Sequence, residues 1–334
     1  MTRDQRKAVI VTGGAGFIGS ELVRQLAAEG RRVIAVDNLV NGSRANLDGL
    51  PLVSLEEIDI RDDAALAPLM RDADTVFHLA CLGVRHSLHD PRENHDVNAT
   101  GSLTLLALAR EARVRRFVYV SSSEVYGTAV DVPMTERHAA FPHTVYGGSK
   151  LAGECYARAY HDSYGCPVVV LRPFNAYGPR CHHEGDSGEV IPKFMLRCMA
   201  GKPMVVFGDG SQTRDFTFVS DTARGIRLAA ERDEAIGQTL NLGFGREIRV
   251  RDLAAEVRRV VGRPGAEIAH VEPRPGDVLR LYADASRARA VLGWEPAVTL
   301  EAGLRQLKDW YDAQGTPPER LLESEVVLNW KPNA

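Results

Sequence analysis

The segment Thr12-Gly-Gly-Ala-Gly-Phe-Ile-Gly19 constrains this chain more than any other. It follows the strand-like run Ala8–Thr12 and opens an amphipathic stretch, residues 17–29, whose Leu22, Val23 and Leu26 fall at helical spacing. The glycines meet three separate needs. Gly13 permits a tight turn, Gly16 lets the backbone approach a pyrophosphate, and Gly19 allows helix to pack closely on strand. The first turn, with Phe17 and Ile18, presents free N–H groups and a partial positive charge. A phosphate cradle on a parallel sheet is the expectation.

A second strand, Arg32–Val36, runs into Asp37-Asn38 about twenty residues further on. A carboxylate there can grip a ribose 2′-OH and would repel a 2′-phosphate, which predicts NAD rather than NADP. Strands at Thr75–Leu79 and Arg116–Val120 alternate with helices at 62–71 and 95–112. Such alternation implies a doubly wound parallel sheet with right-handed crossovers. Ligands of open sheets bind at the C-terminal edge. That makes Asp59 and Ile60 candidates to flank an adenine, and Leu79 and the small Ala80 candidates to border the cofactor.

A helix over 145–163 and a strand at Val168–Leu171 complete this α/β unit. Beyond Pro173 the chain becomes richer in Gly, Pro and His. A helix is expected near 189–200, strands at Met204–Phe207 and Arg214–Val219, and further helices after Asp252 and Leu300. The expected division is a dinucleotide-binding domain over 1–174, with 216–245 returning to it. A smaller, discontinuous substrate-binding lobe comprises 175–215 and 246–314, followed by a loosely packed tail, 315–334.

Global properties narrow the function. A net charge of −3 offers no basic face for nucleic acid, and no apolar stretch approaches a membrane span. Arg3, Arg6 and Lys7 precede an apolar run too short for a signal peptide. Five cysteines without a CxxC pair read as free thiols in a reducing compartment, so a cytoplasmic location is expected. His182-His183-Glu184-Gly-Asp186 reads as a polar loop rather than a metal site, since no second ligand pair has matching spacing.

Two further segments carry chemistry. Tyr146-Gly-Gly-Ser-Lys150 opens the long helix, and a spacing of four puts phenol and ammonium on one face. An adjacent ammonium favours the phenolate, making a proton shuttle suited to an alcohol oxidised to a ketone. The second is Val120-Ser-Ser-Ser-Glu-Val-Tyr-Gly127, three hydroxyls and a carboxylate at the tip of a strand.

With TGGAGFIG, Asp37, SSSEVYG and YGGSK in order, joined by HLAC, DVNATGSL, RPFNAYGPR, VFGDGSQTRDF, RPGD and LGWEP, the chain resembles the extended short-chain dehydrogenase/reductases. Within them it is similar to the nucleotide-sugar epimerases and dehydratases, which implies a Rossmann domain and a nucleotide-sugar substrate. The resemblance implies Tyr146 as catalytic base, with Lys150 holding the nicotinamide ribose. It implies Ser122 as the hydroxyl bridging sugar O4 and the phenol, with Ser121 as scaffold, and Pro173 beside the cofactor. It further implies Asn175 at the sugar, Arg214 and Arg274 at the diphosphate, Asp277 at the ribose, and Phe207 and Val190 walling the base. A homodimer through the helices near 95–112 and 145–163 belongs to the same pattern.

The residues after Ser122 are where relatives diverge once a 4-keto sugar has formed. Ser123-Glu124 is unlike the Asp-Glu of dTDP-glucose dehydratases and like the Ser-Glu of UDP-glucuronate decarboxylases, whereas YGGSK looks more like the 4-epimerases. An arginine for a uronate carboxylate would be expected after YGPR. Cys181-His182 stand there instead, leaving Arg85 as a substitute. The balance favours a UDP-hexose 4-epimerase. A UDP-glucuronate decarboxylase, then a 4,6-dehydratase, remain alternatives, with a non-catalytic NAD sensor or scaffold as the reading from another class.

Overall fold

A computed structural model describes residues 7–185, 187–274 and 278–328. Strands β1 (Ala8–Thr12), β2 (Val33–Val36), β3 (Val53–Glu56), β4 (Ala73–His78), β5 (Arg116–Val120) and β6 (Val168–Pro173) lie parallel in one sheet. After β7 (Asn175–Tyr177), β8 (Met204–Phe207) and β9 (Thr213–Phe218), β10 (Thr239–Leu242) returns to pair with β6. The seven strands run in the order β3-β2-β1-β4-β5-β6-β10. The last two strands, β11 (Glu247–Arg249) and β12 (Ile268–Val271), pair with β9 and β8 outside this sheet.

All five residues of β1 are buried, because helices cover both sheet faces. Alternate side chains serve opposite layers. Val9 and Val11 join a cluster with Leu22 and Leu26 of α1 (Phe17–Ala28), while Ala8 and Ile10 join Leu66 and Met70 of α2 (Asp63–Arg71). Two short helices, α3 (His86–His89) and α4 (Pro91–His95), lead to α5 (Gly101–Ala112), which shares the second layer with α6 (Val145–Tyr164).

The smaller lobe has its own core. Phe194 of α7 (Val190–Met199) packs in one apolar cluster with Leu253 and Val257 of α9 (Val250–Val261) and Leu304 of α11 (Leu300–Ala313). Helix α8 (Val219–Glu231) lies on the α1 side of the sheet, with Ile226 and Ala229 in that layer. Helix α10 (Ser286–Leu292) adds Ala288 and Leu292 there. Among the described residues no helix is long and apolar enough to cross a membrane.

Two expectations need correction. The helix expected over 95–112 begins at Pro91 and passes through a π-turn at Asp96–Thr100. Tertiary bonds accompany that widening. Asn94 and Asn98 donate to the Leu82 carbonyl, Leu82 N–H donates to Asn98 Oδ1, and Asn98 reaches Ser149 on α6. The tail is largely exposed over 315–324, as a loosely packed segment would be, but it is anchored at two points. Helix α12 (Pro318–Leu321) is followed by a buried Leu322, and Glu325 pairs with Arg197 at 2.6 Å.

Candidate active site

One cavity of about 680 Å³ lies between the C-terminal edge of the sheet and the smaller lobe. Every candidate site residue among the described ones lines it; Asp277 lies outside the described residues.

At one end is the glycine turn, with Gly13, Gly16, Phe17, Ile18 and Gly19 on the wall. Gly13 has φ +70, and a Cβ there would come within 2.7 Å of the Ala80 nitrogen. A Cβ on Gly19 would lie 1.9 Å from the Gly13 carbonyl oxygen. The β1–α1 turn is therefore closed against the β4 loop, with Leu79 and Ala80 beside it, in a way only glycine allows. Asp37 is buried and accepts from Ala15 N–H at 3.0 Å and Leu39 N–H at 2.9 Å. Burial raises its carboxyl, and these amides pull it back. Asn38 donates to Asp59 at 3.2 Å, and the Arg61 guanidinium holds Asp59 below its ordinary value. Asp59 and Ile60 lie beyond the end of β3 rather than on it, and both still face the cavity. A closed glycine cradle with an acid on the next strand fits a dinucleotide, NAD in particular.

At mid-cavity, the Ser122 hydroxyl accepts from Glu124 N–H at 3.2 Å and caps the short turn Ser123–Val125. This cap fixes the positions of Ser123 and Glu124 on the wall. Tyr146 enters from the first turn of α6, which Thr144 caps by accepting from Gly147 N–H at 3.1 Å. Its phenol lies near the Ser122 hydroxyl and the Cys81 thiol, and all three line the cavity. Burial pushes the phenol well above its ordinary value, with Cys81 and Glu124 adding to the rise and Ser122 opposing it, which corrects the expectation that the Lys150 ammonium brings the phenol down. Lys150, one turn on, donates to the Val120 carbonyl at the tip of β5 at 2.6 Å, and burial lowers its ammonium.

Beneath Lys150 lies a buried ion pair. Glu154 receives two bonds from Arg172 of β6, at 2.9 and 2.7 Å, and one from Arg158 at 2.9 Å. Burial raises the Glu154 carboxyl, but Arg172, with Ser121 and Arg158, outweighs it and the net shift is downward.

The far end is built by the smaller lobe, beyond Pro173. Asn175 lines this end, and its buried Oδ1 has no hydrogen-bond partner. Arg274 stacks 4.8 Å over the Phe207 ring, and Arg214 donates to the Val278 carbonyl at 2.6 Å. Val190 and Arg85 complete the expected set. His182 lines the cavity and bonds Glu184 at 3.1 Å. Among the described residues, no group of three or more His, Cys, Asp or Glu side chains could hold a metal ion.

Sequence reasoning missed Cys81, Glu189, Lys193, Arg197, Glu325 and Val327, which also face the cavity. The i, i+4 pair Lys193/Arg197 on an apolar helix could have marked a cationic face. Burial pushes the Glu189 carboxyl up to about 7.

The fold and this cavity define an NAD-dependent Rossmann enzyme with a second lobe over the sheet edge. Residues 9–243 match the NAD dependent epimerase/dehydratase family, and the chain belongs to it. The UDP-glucose 4-epimerase of Mycolicibacterium smegmatis is 37% identical over 308 residues, 90% of this chain and 97% of the relative. UDP-glucuronic acid decarboxylase 1 of Arabidopsis thaliana is 34% identical over 309 residues, 91% of this chain and 69% of the relative. The crystal structure of UDP-glucose 4-epimerase with UDP-glucose from Thermotoga maritima superposes with a TM-score of 0.88 at 33% identity. It covers 92% of this chain and 100% of its own.

Proposed function

We propose that this protein is a nucleotide-sugar 4-epimerase acting on a UDP-hexose. The observation that carries the reading is one continuous cavity. It has the glycine cradle at one end, Ser122, Tyr146 and Lys150 in the middle, and Asn175, Phe207, Arg214 and Arg274 at the other. Bound along the cradle and touching Asp37 and Lys150, NAD would supply the acceptor for the hydride of sugar C4. Tyr146 takes the O4 proton, and Ser122, beside the phenol on the cavity wall, orients that hydroxyl. Arg214 and Arg274 hold the diphosphate, since a guanidinium fork matches phosphate oxygens. A turn of the 4-keto sugar about its diphosphate anchor exposes its other face. Return of hydride from the cofactor and of the proton from Tyr146 to that face would give the inverted C4 centre.

The segment after YGPR supports a neutral hexose. Arg180 turns away to Glu21 at 2.6 Å and Ser20 at 3.1 Å, and Cys181 is buried. A second reading, decarboxylation of a UDP-uronate, is favoured by one observation: Arg85 and Glu124 both face the cavity. The test is turnover of UDP-glucose and UDP-glucuronate by the wild type and Glu124→Gln, with products read by mass. Epimerisation without mass change, reduced about 10-fold in the variant, is expected from one lost charged hydrogen bond. Carbon dioxide release from UDP-glucuronate, abolished in the variant, would overturn the assignment.

A further inference from the structure

The tail is tied to residues that themselves face the cavity. Lys193 Nζ donates to the Val326 carbonyl at 2.8 Å, and Arg197 pairs with Glu325 at 2.6 Å. That pair is nearly closed off from solvent, with 14% and 8% side-chain exposure. Two backbone bonds cross to the loop before α7. Gly185 N–H donates to the Ser324 carbonyl at 2.8 Å, and Val326 N–H donates to the Gly185 carbonyl at 3.3 Å. Glu325 and Val327 thereby become part of the cavity wall.

Charge indicates what this wall faces. Lys193 lies near Arg85, Arg197 and Arg274, with Glu325 opposing them. Burial and these cations bring its ammonium down to about 8. Ammonium and guanidinium groups gathered among the described residues at this end suit a diphosphate. Arg274, stacked on Phe207, marks the same end of the cavity.

We propose that residues 322–328 belong to the substrate site, walling the nucleoside-diphosphate end of the cavity, with Glu325 and the Val326 carbonyl setting Arg197 and Lys193 in place. This rests on the nucleotide-sugar reading above. Tail contacts that end on cavity cations couple the two: a diphosphate that engages Lys193 and Arg197 also steadies the segment bonded to them.

The test uses the full chain, a chain ending at Leu322, and Val327→Asp, which puts a carboxylate on a half-buried wall position. Binding of UDP, dTDP and GDP is measured by calorimetry, with NAD content and circular dichroism as controls. Both variants should bind the preferred nucleotide about 10-fold more weakly, the scale of one or two lost contacts. NAD content should not change. Hydrogen exchange at Gly185 and Val326 should slow when nucleotide is added to the full chain. Binding by either folded variant within about twofold of the full chain would overturn the proposal. Should the shortened chain not fold, Val327→Asp alone decides. A full chain that prefers dTDP or GDP to UDP would sink the UDP-hexose assignment, and the wall is then tested on that nucleotide.

Discussion

Lys150 places its ammonium 2.6 Å from the carbonyl oxygen of Val120, so the helix carrying the phenol is stitched to the strand that ends in Ser121-Ser122. Burial disfavours charge on both Tyr146 and Lys150, and the bond to Val120 keeps the lysine a donor within the cavity.

Tyr146→Phe should therefore lower kcat about 10²–10⁴-fold, the range for a lost general base, while NAD stays bound. Lys150→Met should lose NAD content as well as turnover. Both are read by turnover assays and by cofactor released on denaturation. Turnover in Tyr146→Phe close to wild type would place the base elsewhere.

Asp37 should select the cofactor. Its carboxylate, fixed by two amides, would stand beside a 2′-phosphate at a cost of a few kcal/mol, so NADP should bind on the order of 10²–10³-fold more weakly than NAD. Asp37→Asn should narrow that gap. Titration of cofactor-stripped protein with each dinucleotide checks this, and equal affinities in the wild type would refute it.

Glu189 should give the fold a pH dependence. Its folded value, about 7, lies above the ordinary unfolded carboxyl near 4.3. Its contribution is thus fully present below the unfolded value and is lost as pH rises through 7. His182, Glu184 and Arg85 face the same carboxyl and titrate or act with it. Glu189→Gln should gain in Tm relative to wild type on going from pH 5 to pH 8. An unchanged difference, or one of opposite sign, would show that the carboxyl is not held up by burial.

The β1–α1–β2 unit was legible from residues 8–37 because each requirement there is local: a buried β-branched run, a turn with no room for Cβ, a helical repeat and an acid at the next strand end. Tyr146 is marked locally by the lysine four residues on, whereas only the family resemblance singles out Ser122 from three adjacent hydroxyls; both sit at capped turns on the cavity wall. The π-turn at Asp96–Thr100 was not legible, since the bonds around it join Asn94 and Asn98 to Leu82 and Ser149. The wall made by Glu325 was hidden by distance, its partner Arg197 lying 128 residues earlier in the chain.

The Glu154–Arg172 pair has a bearing on how freely the helix that carries Tyr146 can move. An α6 displaced along β6 by a single turn would separate two buried ions, and a stranded buried charge costs about 3–5 kcal/mol. Apolar contacts alone would tolerate such slippage, because one aliphatic neighbour substitutes readily for another. The ion pair acts as an indexing pin: it admits one position of Tyr146 over the sheet edge and penalises the adjacent ones. Substitutions and insertions in the smaller lobe can then reshape the far end of the cavity while Tyr146 and Lys150 stay in register.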